Sequence, residues 1–346
     1  MMVWLKRQMK QSPKPLWMLI VADLLIFAVA LLTFAYFHHV MPRAGESMGL
    51  KSSRSGAVVQ VEDVQPSVDP TAQPIDAIVP VVEATPEPVV EQVGYFGDKF
   101  ADKFTNGEVI ATETGYQSGS VNISMQIYDE QGVNFYVADI YVKDIECIQT
   151  AFANDQYGRG FSEMPISMDA RLGSILTING DYYGMKDDSI VIRNGVLYRD
   201  CDFPMTDVGV LYWDGTMETY PSMPFDSAAE LAKGAYQVWC FGPRLLDETG
   251  ASMENFNTAV SKINPRTAIG YFEPGHYCFV VVDGRSEESA GMTMAQLSRL
   301  MEKLGCVRAY NLDGGRTSMM VWNDQVLNNA YRDGRECSDA VMIMDL

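Results

Sequence analysis

The first forty residues contain the feature that most restricts how this chain can fold. An apolar run of 22 residues extends from Leu16 to Phe37 and is interrupted by Asp23 and Thr33. About 20 apolar residues cross a bilayer as a helix, whereas a cleaved secretory signal has an apolar core of about 7–15 residues. Basic side chains precede the run: Lys6, Arg7, Lys10 and Lys14. Because positive charge stays in the cytoplasm, we predict a cytoplasmic tail at residues 1–15, a single-pass signal anchor at 16–38, and an extracytoplasmic remainder.

Asp23 is unusual within this predicted membrane segment. A carboxylate at the centre of a bilayer costs about 2.5–3.5 kcal/mol on insertion scales. The residue lies nearer the cytoplasmic end of the run, where this cost is lower. Three explanations stay open: protonation of the carboxyl group, pairing with a partner membrane protein, or a functional role of its own.

Residues 39–92 differ in composition from the rest of the chain. They lack hydrophobic periodicity and contain a series of prolines: Pro42, Pro66, Pro70, Pro74, Pro80, Pro86 and Pro88. Such a segment buries too little apolar surface to offset the entropy of ordering it. We therefore predict a disordered, proline-rich stalk in this region. From residue 93 to residue 346 the pattern is globular without a second linker, which predicts one domain.

Strand-like segments outnumber helical ones in the predicted domain and mostly meet through hairpins. This pattern predicts an α+β domain with a mixed or antiparallel sheet flanked by a few helices. Two capping-box patterns, beginning at Ser227 and Thr293, predict helices over Ser227–Lys233 and Thr293–Leu304. The predicted strands are Val121–Tyr128, Asn134–Val142, Cys278–Asp283, Arg308–Leu312, Ser318–Trp322, Gln325–Asn328 and Asp339–Met344.

Charge and residue counts exclude several classes of function. The formal net charge is −19, which argues against nucleic-acid binding because phosphate contacts need clustered Lys and Arg. Beyond residue 39 the sole histidine is His276, which we expect in a loop, so histidine triads and two-histidine phosphodiesterases are disfavoured. No cysteine spacing indicates zinc. Three of the six cysteines lie in apolar segments or after a helix, and we predict that they are small buried side chains: Cys240, Cys278 and Cys306.

Four segments interrupt the apolar pattern with glycines and polar residues. They are Asn179-Gly180-Asp181-Tyr182-Tyr183, Gly242-Pro243-Arg244-Leu245, Pro265-Arg266-Thr267-Ala268-Ile269-Gly270 leading to Asp283-Gly284-Arg285, and Leu312-Asp313-Gly314-Gly315. Singly, each has a simpler interpretation, because Asn-Gly and Asp-Gly are common turn dipeptides. Arg193-Asn194-Gly195 is likewise interpreted as a hairpin turn. Together, in this order and spacing, the four segments resemble the phosphodiester glycosidase family over about residues 141–346.

The resemblance implies an extracytoplasmic hydrolase of glycosyl phosphodiesters, of the N-acetylglucosamine-1-phosphate type, in envelope or exopolysaccharide metabolism. One departure is visible, because the family often continues Leu-Asp-Gly-Gly with Gly-Ser-Ser, whereas this chain has Arg316-Thr317-Ser318. We expect Arg316 to narrow the pocket or to add a phosphate contact. Two alternatives are a non-catalytic module that binds phosphorylated glycans and a component of a polysaccharide assembly complex.

The chemistry of this reaction suggests which residues act. Cleavage at the anomeric carbon needs guanidinium donors for the phosphate and a carboxylate for water, for the anomeric carbon or for an oxocarbenium-like centre. The candidate catalytic carboxylates are Asp181, Asp283 and Asp313. The candidate substrate-binding residues are Asn179, Gly180, Arg244, Arg266, Thr267, Arg285, Gly314, Gly315, Thr317 and Ser318.

Simpler roles stay open for some of these residues. Arg266 could pair with a buried carboxylate, and Asp283 could cap the turn at Gly284. The reaction requires no cofactor, although a hard divalent cation bound by carboxylates and carbonyls stays open as an alternative.

Overall fold

The computed structural model describes residues 46–47 and 93–346, which belong to the compact unit Glu46–Leu346. The predicted tail, the predicted signal anchor and all of the predicted stalk except residues 46–47 lie outside the described residues. Among the described residues, no helix combines the length and the apolar character needed to cross a bilayer.

Strands make up most of the regular structure in the described part of the chain. In chain order they are β1 (Glu46–Ser47), β2 (Ile110–Ala111), β3 (Gly115–Gln117), β4 (Val121–Glu130), β5 (Val133–Val142), β6 (Ile148–Phe152), β7 (Gln156–Tyr157), β8 (Leu176–Asn179), β9 (Val191–Arg193), β10 (Val196–Arg199), β11 (Val208–Tyr212), β12 (Met217–Tyr220), β13 (Ala235–Trp239), β14 (Arg266–Glu273), β15 (His276–Val282), β16 (Arg308–Asn311), β17 (Met320–Trp322), β18 (Gln325–Val326) and β19 (Asp339–Ile343). The α-helices are α1 (Pro165–Leu172), α2 (Ser227–Lys233) and α3 (Met294–Lys303).

These strands form several antiparallel sheets. The largest has seven strands in the order β16-β14-β15-β5-β4-β3-β2. Two five-stranded sheets have the orders β18-β17-β8-β19-β6 and β10-β9-β13-β11-β12, and β1 pairs with β7. The predicted sheet-rich α+β character is therefore confirmed, although the strands are divided among several sheets where one was expected.

Local sequence chemistry explains most of the predicted elements. The hairpin β4–β5 turns at Gln131 and Gly132, whose φ angles of 56° and 75° match the twist of a tight hairpin. Thr293 caps α3 in the predicted capping box, with the Gln296 amide donating to its hydroxyl. The bounds of α2 are as predicted, but its N-cap is Asp226, whose carboxylate accepts the amide of Ala229. The proposed cap at Ser227 is therefore wrong by one residue.

Two further differences have local causes. Helix α1 was not predicted, because its N-cap residue, Met164, makes no side-chain capping hydrogen bond and no capping box marks its start. His276 was expected in a loop but opens β15, where its Nε2 lies 2.6 Å from Asp139 Oδ1. Its ring stacks on Tyr141 with centroids 4.0 Å apart, so strand pairing and side-chain contacts both fix the residue.

Apolar packing joins the seven-stranded sheet to the two five-stranded sheets. Buried side chains of the large sheet, such as Ile123 and Phe279, share one cluster with Ile178, Val341 and Trp239 from the smaller sheets. The opposite face of β14 and β15 packs against the apolar stripe of α3. Burial of an aliphatic or aromatic side chain contributes about 1.5–3 kcal/mol, so this core fixes the strand ends that carry the polar motifs. The predicted burial of three cysteines is confirmed: Cys240, Cys278 and Cys306.

Candidate active site

Two of the predicted motifs meet where β8 and β16 end. The amide of Asp313 donates to the carbonyl of Gly180 at 3.3 Å, and the amide of Gly180 donates to the carbonyl of Asp339 at 2.9 Å. The side chain of Asn179 reinforces this junction, because its Nδ2 donates to the Asp313 carbonyl at 2.7 Å. Its Oδ1 accepts the hydroxyl of Thr267 at 2.8 Å. Asn179 and Thr267, both predicted to contact substrate, are therefore buried residues that hold the motif loops together.

A cavity of about 260 Å³ lies against this junction. Seven of its lining residues carry polar side chains: Ser162, Asp181, Tyr182, Asp313, Arg335, Glu336 and Ser338. Two of the three predicted carboxylates, Asp181 and Asp313, thus line one cavity. Small-molecule sites in proteins commonly combine a concave surface with a few convergent polar groups, as here.

Asp313 is almost completely buried and accepts hydrogen bonds through both carboxylate oxygens. Oδ1 accepts the amide of Gly314 at 2.8 Å. Oδ2 accepts the hydroxyl of Thr317 at 2.7 Å and Nη2 of Arg335 at 3.0 Å. Burial raises the pKa of Asp313, while the bonds from Thr317 and Arg335 act in the opposite direction. A cavity-lining carboxylate with a raised pKa is suited to proton transfer.

Asp181 lies in a more constrained setting than Asp313. Its Oδ1 accepts the amide of Tyr183 at 2.9 Å, and its Oδ2 accepts the amide of Cys240 at 3.1 Å. Oδ2 also lies 3.0 Å from Nη2 of the fully buried Arg193. Asp181 is therefore held rigidly as the wall of the cavity.

Arg193 is shared between two buried carboxylates. Its Nε donates to Asp339 Oδ2 at 2.8 Å, and its Nη2 lies 2.8 Å from the same oxygen and 3.0 Å from Asp181 Oδ2. Burial and the nearby charge of Asp181 together raise the pKa of Asp339 to about 7, against the opposing effect of Arg193. Arg193 was interpreted as part of a hairpin turn, and Asn194-Gly195 does connect β9 to β10 with positive φ angles of 50° and 79°. Its side chain has the additional role of neutralising the carboxylates behind the cavity.

Arg335, which no predicted motif contains, is the cationic residue among those that line the cavity. Its guanidinium bonds Asp313 and the hydroxyl of Thr317, and it lies 5.6 Å from the ring centroid of Tyr182. A repeat in the sequence could have identified it, because the tripeptide Asp-Gly-Arg at 283–285 occurs again at 333–335. Nothing local in the sequence marks Asp339, which lies in an otherwise apolar strand.

Arg316 binds the loop that carries Arg335. Its Nε donates to the carbonyl of Gly334 at 2.6 Å, and its Nη2 donates to the carbonyl of Arg332 at 3.3 Å. The side chain is not among those that line the cavity. We expected Arg316 to narrow the pocket or to contact phosphate. In the structure it instead holds the loop that carries Arg335.

Asp283 is placed in a different polar network. Its Oδ1 accepts Nδ2 of Asn328 at 2.9 Å, and its Oδ2 accepts the Tyr136 hydroxyl and the Asn329 amide, each at 3.1 Å. It does not line the cavity. Burial and the charge of Asp283 raise the pKa of Tyr136 to about 12. Asp283 therefore joins β5 to the 328–329 loop, which is a wider role than capping the turn at Gly284.

The three arginines predicted to bind phosphate also lie outside the cavity lining. Arg266 is buried, and its Nε donates to the carbonyl of Met292 at 2.9 Å. No carboxylate of the described residues forms an ion pair with it, and burial lowers its pKa to about 10, with Arg285 contributing. Arg244 pairs with Glu248 at 2.6 Å, and both Nε and Nη2 of Arg285 donate to one atom, Asn264 Oδ1.

The glycines of the Leu-Asp-Gly-Gly motif allow two loops to pack closely. A Cβ atom at Gly314 would lie 2.9 Å from the carbonyl oxygen of Pro265. The amide of Gly315 donates to the same carbonyl at 3.0 Å, so it is already engaged within the protein. Ser318 is buried, and its hydroxyl has no hydrogen-bond partner among the described residues.

Comparison with known proteins identifies the domain. The sequence profile of the phosphodiester glycosidase family matches residues 173–344, which include Asp181, Asp313 and Arg335. The chain carries a domain of the phosphodiester glycosidase family. The resemblance predicted from the motifs is thereby confirmed.

Relatives of this phosphodiester glycosidase domain occur in bacteria and animals. The chain is 28% identical over 269 residues to the SPbeta prophage-derived uncharacterized protein YomE of Bacillus subtilis, which covers 70% of this chain and 42% of that protein. It is 32% identical over 104 residues to the N-acetylglucosamine-1-phosphodiester alpha-N-acetylglucosaminidase of Bos taurus, covering 28% of this chain and 19% of the bovine protein. The chain thus spans less than half the length of these relatives.

The fold of the domain also has a solved counterpart. The catalytic domain of zebrafish N-acetylglucosamine-1-phosphodiester alpha-N-acetylglucosaminidase, auto-inhibited by its pro-peptide, superposes with a TM-score of 0.55. The match covers 70% of this chain and 86% of the zebrafish chain at 18% identity. At this identity the similarity establishes a shared fold.

Proposed function

We propose that this protein hydrolyses glycosyl phosphodiesters by cleaving the bond between the anomeric carbon and a phosphate oxygen. One observation carries the proposal: Asp313, a buried carboxylate within a family motif, lines a cavity while in contact with Arg335 and Thr317. This arrangement combines the carboxylate and the guanidinium that the reaction needs.

Arg335 is the residue that we assign to the phosphate. Its Nη2 is bonded to Asp313 and Thr317, while its Nε and Nη1 make no hydrogen bond to the described residues. A guanidinium offers its remaining donors to phosphate oxygens in a planar fork. Binding of the phosphate at Arg335 would bring the adjoining sugar to Asp313, because the two side chains are in direct contact.

Asp313 serves the anomeric centre in this proposal. The bond from the anomeric carbon to the phosphate oxygen breaks with its electron pair on oxygen, and a phosphomonoester leaves without needing a proton. Ionised Asp313 stabilises the positive charge that develops on the sugar, and it accepts the proton of the water that adds to the anomeric carbon. Asp181, held by Arg193 and two backbone amides, keeps the cavity wall fixed.

The direct test is turnover of defined substrates by the full-length protein. A panel of sugar-1-phosphodiesters should include N-acetylglucosamine-1-phosphodiesters, because the bovine and zebrafish relatives are named for this substrate. The expected products are the free sugar and a phosphomonoester, with activity lost in Asp313→Asn. Tight binding of the panel without turnover would instead identify a non-catalytic glycan-binding module. Neither binding nor turnover would refute the proposed function.

We also propose that the domain acts outside the cell, on phosphorylated glycans of the envelope or exopolysaccharide. The basic residues before the apolar run at residues 16–38 support this topology. Protease added to intact cells should then release a fragment that ends at Leu346. Complete protection of that fragment, with digestion after lysis, would contradict the orientation.

A further inference from the structure

A second cavity, of about 360 Å³, lies among segments that the proposed reaction does not use. It is formed by residues 205–207, residues 241–243 and residues 255–258, together with Ser222 and Met253. The lining combines aromatic and amide side chains, including Phe241, Phe256, Asn255 and Asn257.

The polar groups of this cavity favour a neutral ligand. Asp207 is its charged lining residue, and both carboxylate oxygens are already occupied. Oδ1 accepts the amide of Ser222 at 2.9 Å, and Oδ2 accepts the amide of Arg244 at 3.1 Å. Since no lining residue carries positive charge, the lining itself offers no counter-ion to a phosphate group.

Two amide side chains are available to such a ligand. Asn255 and Asn257 are exposed, and neither side chain makes a hydrogen bond to the described residues. Phe256, which lies between them in the sequence, and Phe241 also line the cavity and are half-buried. A pyranose ring presents apolar C–H faces and hydroxyl edges, which match aromatic faces and amide groups respectively.

Exposed apolar side chains lie in or next to two of the segments that line the second cavity. Phe203, Met205 and Met223 are 66%, 73% and 48% exposed. The hydroxyl of Ser222 donates to the carbonyl of Pro204 at 2.9 Å, which joins the two loops that carry them. A group of exposed large apolar residues beside a cavity is typical of a binding surface.

The second cavity adjoins the candidate active site. Asp181, in the wall of the first cavity, accepts the amide of Cys240, the residue before Phe241. Met185 lines the first cavity, and the next residue, Lys186, places its Nζ 5.4 Å from the centroid of the Phe241 ring. The segment 185–186 therefore contacts both the first cavity and a residue that lines the second.

We propose that the second cavity binds a neutral pyranose unit of the glycan chain whose phosphodiester is cleaved in the first. This inference rests on the proposed function and narrows it, because it makes the substrate an oligosaccharide or polysaccharide phosphodiester. Small sugar-1-phosphodiesters would occupy the first cavity alone. The second cavity then adds affinity for the glycan and leaves the reacting centre unchanged.

The kinetic test compares two diesters of the same sugar in the full-length protein. One carries a methyl group on the far side of the phosphate, and the other carries a neutral tetrasaccharide there. The double substitution Asn255→Ala with Asn257→Ala should raise KM for the tetrasaccharide diester about five- to thirtyfold, as expected for the loss of two hydrogen bonds. KM for the methyl diester should not change. Asn106→Ala is the matched control, because Asn106 is an exposed amide that lines neither cavity.

A binding measurement separates this inference from the proposed function. The wild-type chain should bind neutral oligosaccharides on an array of neutral and anionic glycans, and the double variant should lose that binding while its melting temperature stays unchanged. Equal KM shifts for both diesters, or binding restricted to anionic glycans, would overturn the inference and leave the hydrolase intact. Loss of neutral-glycan binding in the double variant, with no hydrolysis of any diester, would support the cavity and refute the hydrolase.

Discussion

Replacement of Arg335 by alanine tests the division of roles in the candidate active site. The substitution removes the charge-assisted contact from Nη2 to Asp313, 3.0 Å long, and the donors that we assign to phosphate. A hydrogen bond to a charged group is worth about 1.5–3 kcal/mol, which corresponds to about a ten- to hundredfold loss in kcat/KM. Because the ground-state substrate already carries the phosphate charge, most of this loss should appear as a raised KM.

Stability should change little in the same variant. The side chain of Arg335 is 44% exposed, and Asp313 retains its bonds from Thr317 and Gly314. An ion pair with one exposed partner contributes about 0–1 kcal/mol, which is a shift of about 2–4 °C or less in melting temperature for a domain of this size.

The pH dependence of Arg335→Ala provides a second measurement. Arg335 opposes the effect of burial on Asp313, so its removal should raise the pKa of Asp313 further. If Asp313 acts as the ionised carboxylate, the acidic limb of the kcat/KM profile should move to higher pH. Arg335→Lys should restore part of the shift but less of the affinity, since an ammonium lacks the planar fork.

The assay is steady-state kinetics on a small sugar-1-phosphodiester, with Arg299→Ala as the control. Arg299, on α3, is a surface arginine of similar exposure, 48%, and it forms an ion pair with Glu254. Unchanged KM and an unchanged acidic limb in folded Arg335→Ala would refute the assignment of phosphate to this residue.

Three further predictions concern the residues around the cavity. Asp313→Asn should lower kcat with little change in KM, because its interaction strengthens only as charge develops on the sugar; full turnover by the folded variant would make Asp313 a turn residue. Asp339 has a folded pKa of about 7, above its unfolded value of about 3.9, so its contribution to stability is present at acidic pH and is lost as pH rises toward and through 7. In urea unfolding, the free energy of unfolding of Asp339→Asn relative to wild type should therefore be higher at pH 8 than at pH 5. The opposite order would contradict the raised pKa of Asp339. Gly180→Ala would place a Cβ atom 2.3 Å from Asp339 Oδ1 and should cost about 1–3 kcal/mol, whereas Gly119→Ala, whose nearest atom would be 3.6 Å away, should be nearly neutral in the same measurement.

Local signals in the sequence predicted the elements that depend on neighbouring residues. The hairpin β4–β5 follows from alternation and a tight turn, and α3 follows from its cap and apolar stripe. Helix α1 was missed because no capping motif marks its start. The cap of α2 was misplaced by one residue because Asp226 and Ser227 are adjacent and both residue types favour the N-cap position. The motif around Asp313 was recognised because it is contiguous in the chain.

Assembly of the candidate site depends on contacts between residues far apart in the chain. Asp181 and Asp313 share a cavity because β8 and β16 end side by side, and Arg335 reaches Asp313 from a loop 22 residues later. The predicted residues Arg266 and Asp283 have the right chemistry for the reaction. The fold instead satisfies them with backbone carbonyls and with partners such as Tyr136.

The sequence by itself determined the family, the sheet-rich class and the motif that contains Asp313, since these reside in composition, periodicity and contiguous residues. It also predicts the membrane anchor and the stalk, which lie outside the described residues apart from 46–47. The tertiary structure alone decided which charged residues line the cavity and which are neutralised elsewhere. The physical reason is that burial and pairing depend on which strand ends pack together. An arginine or aspartate carries the same charge in the sequence whether it lines a cavity, as Arg335 does, or contacts buried partners, as Arg193 does.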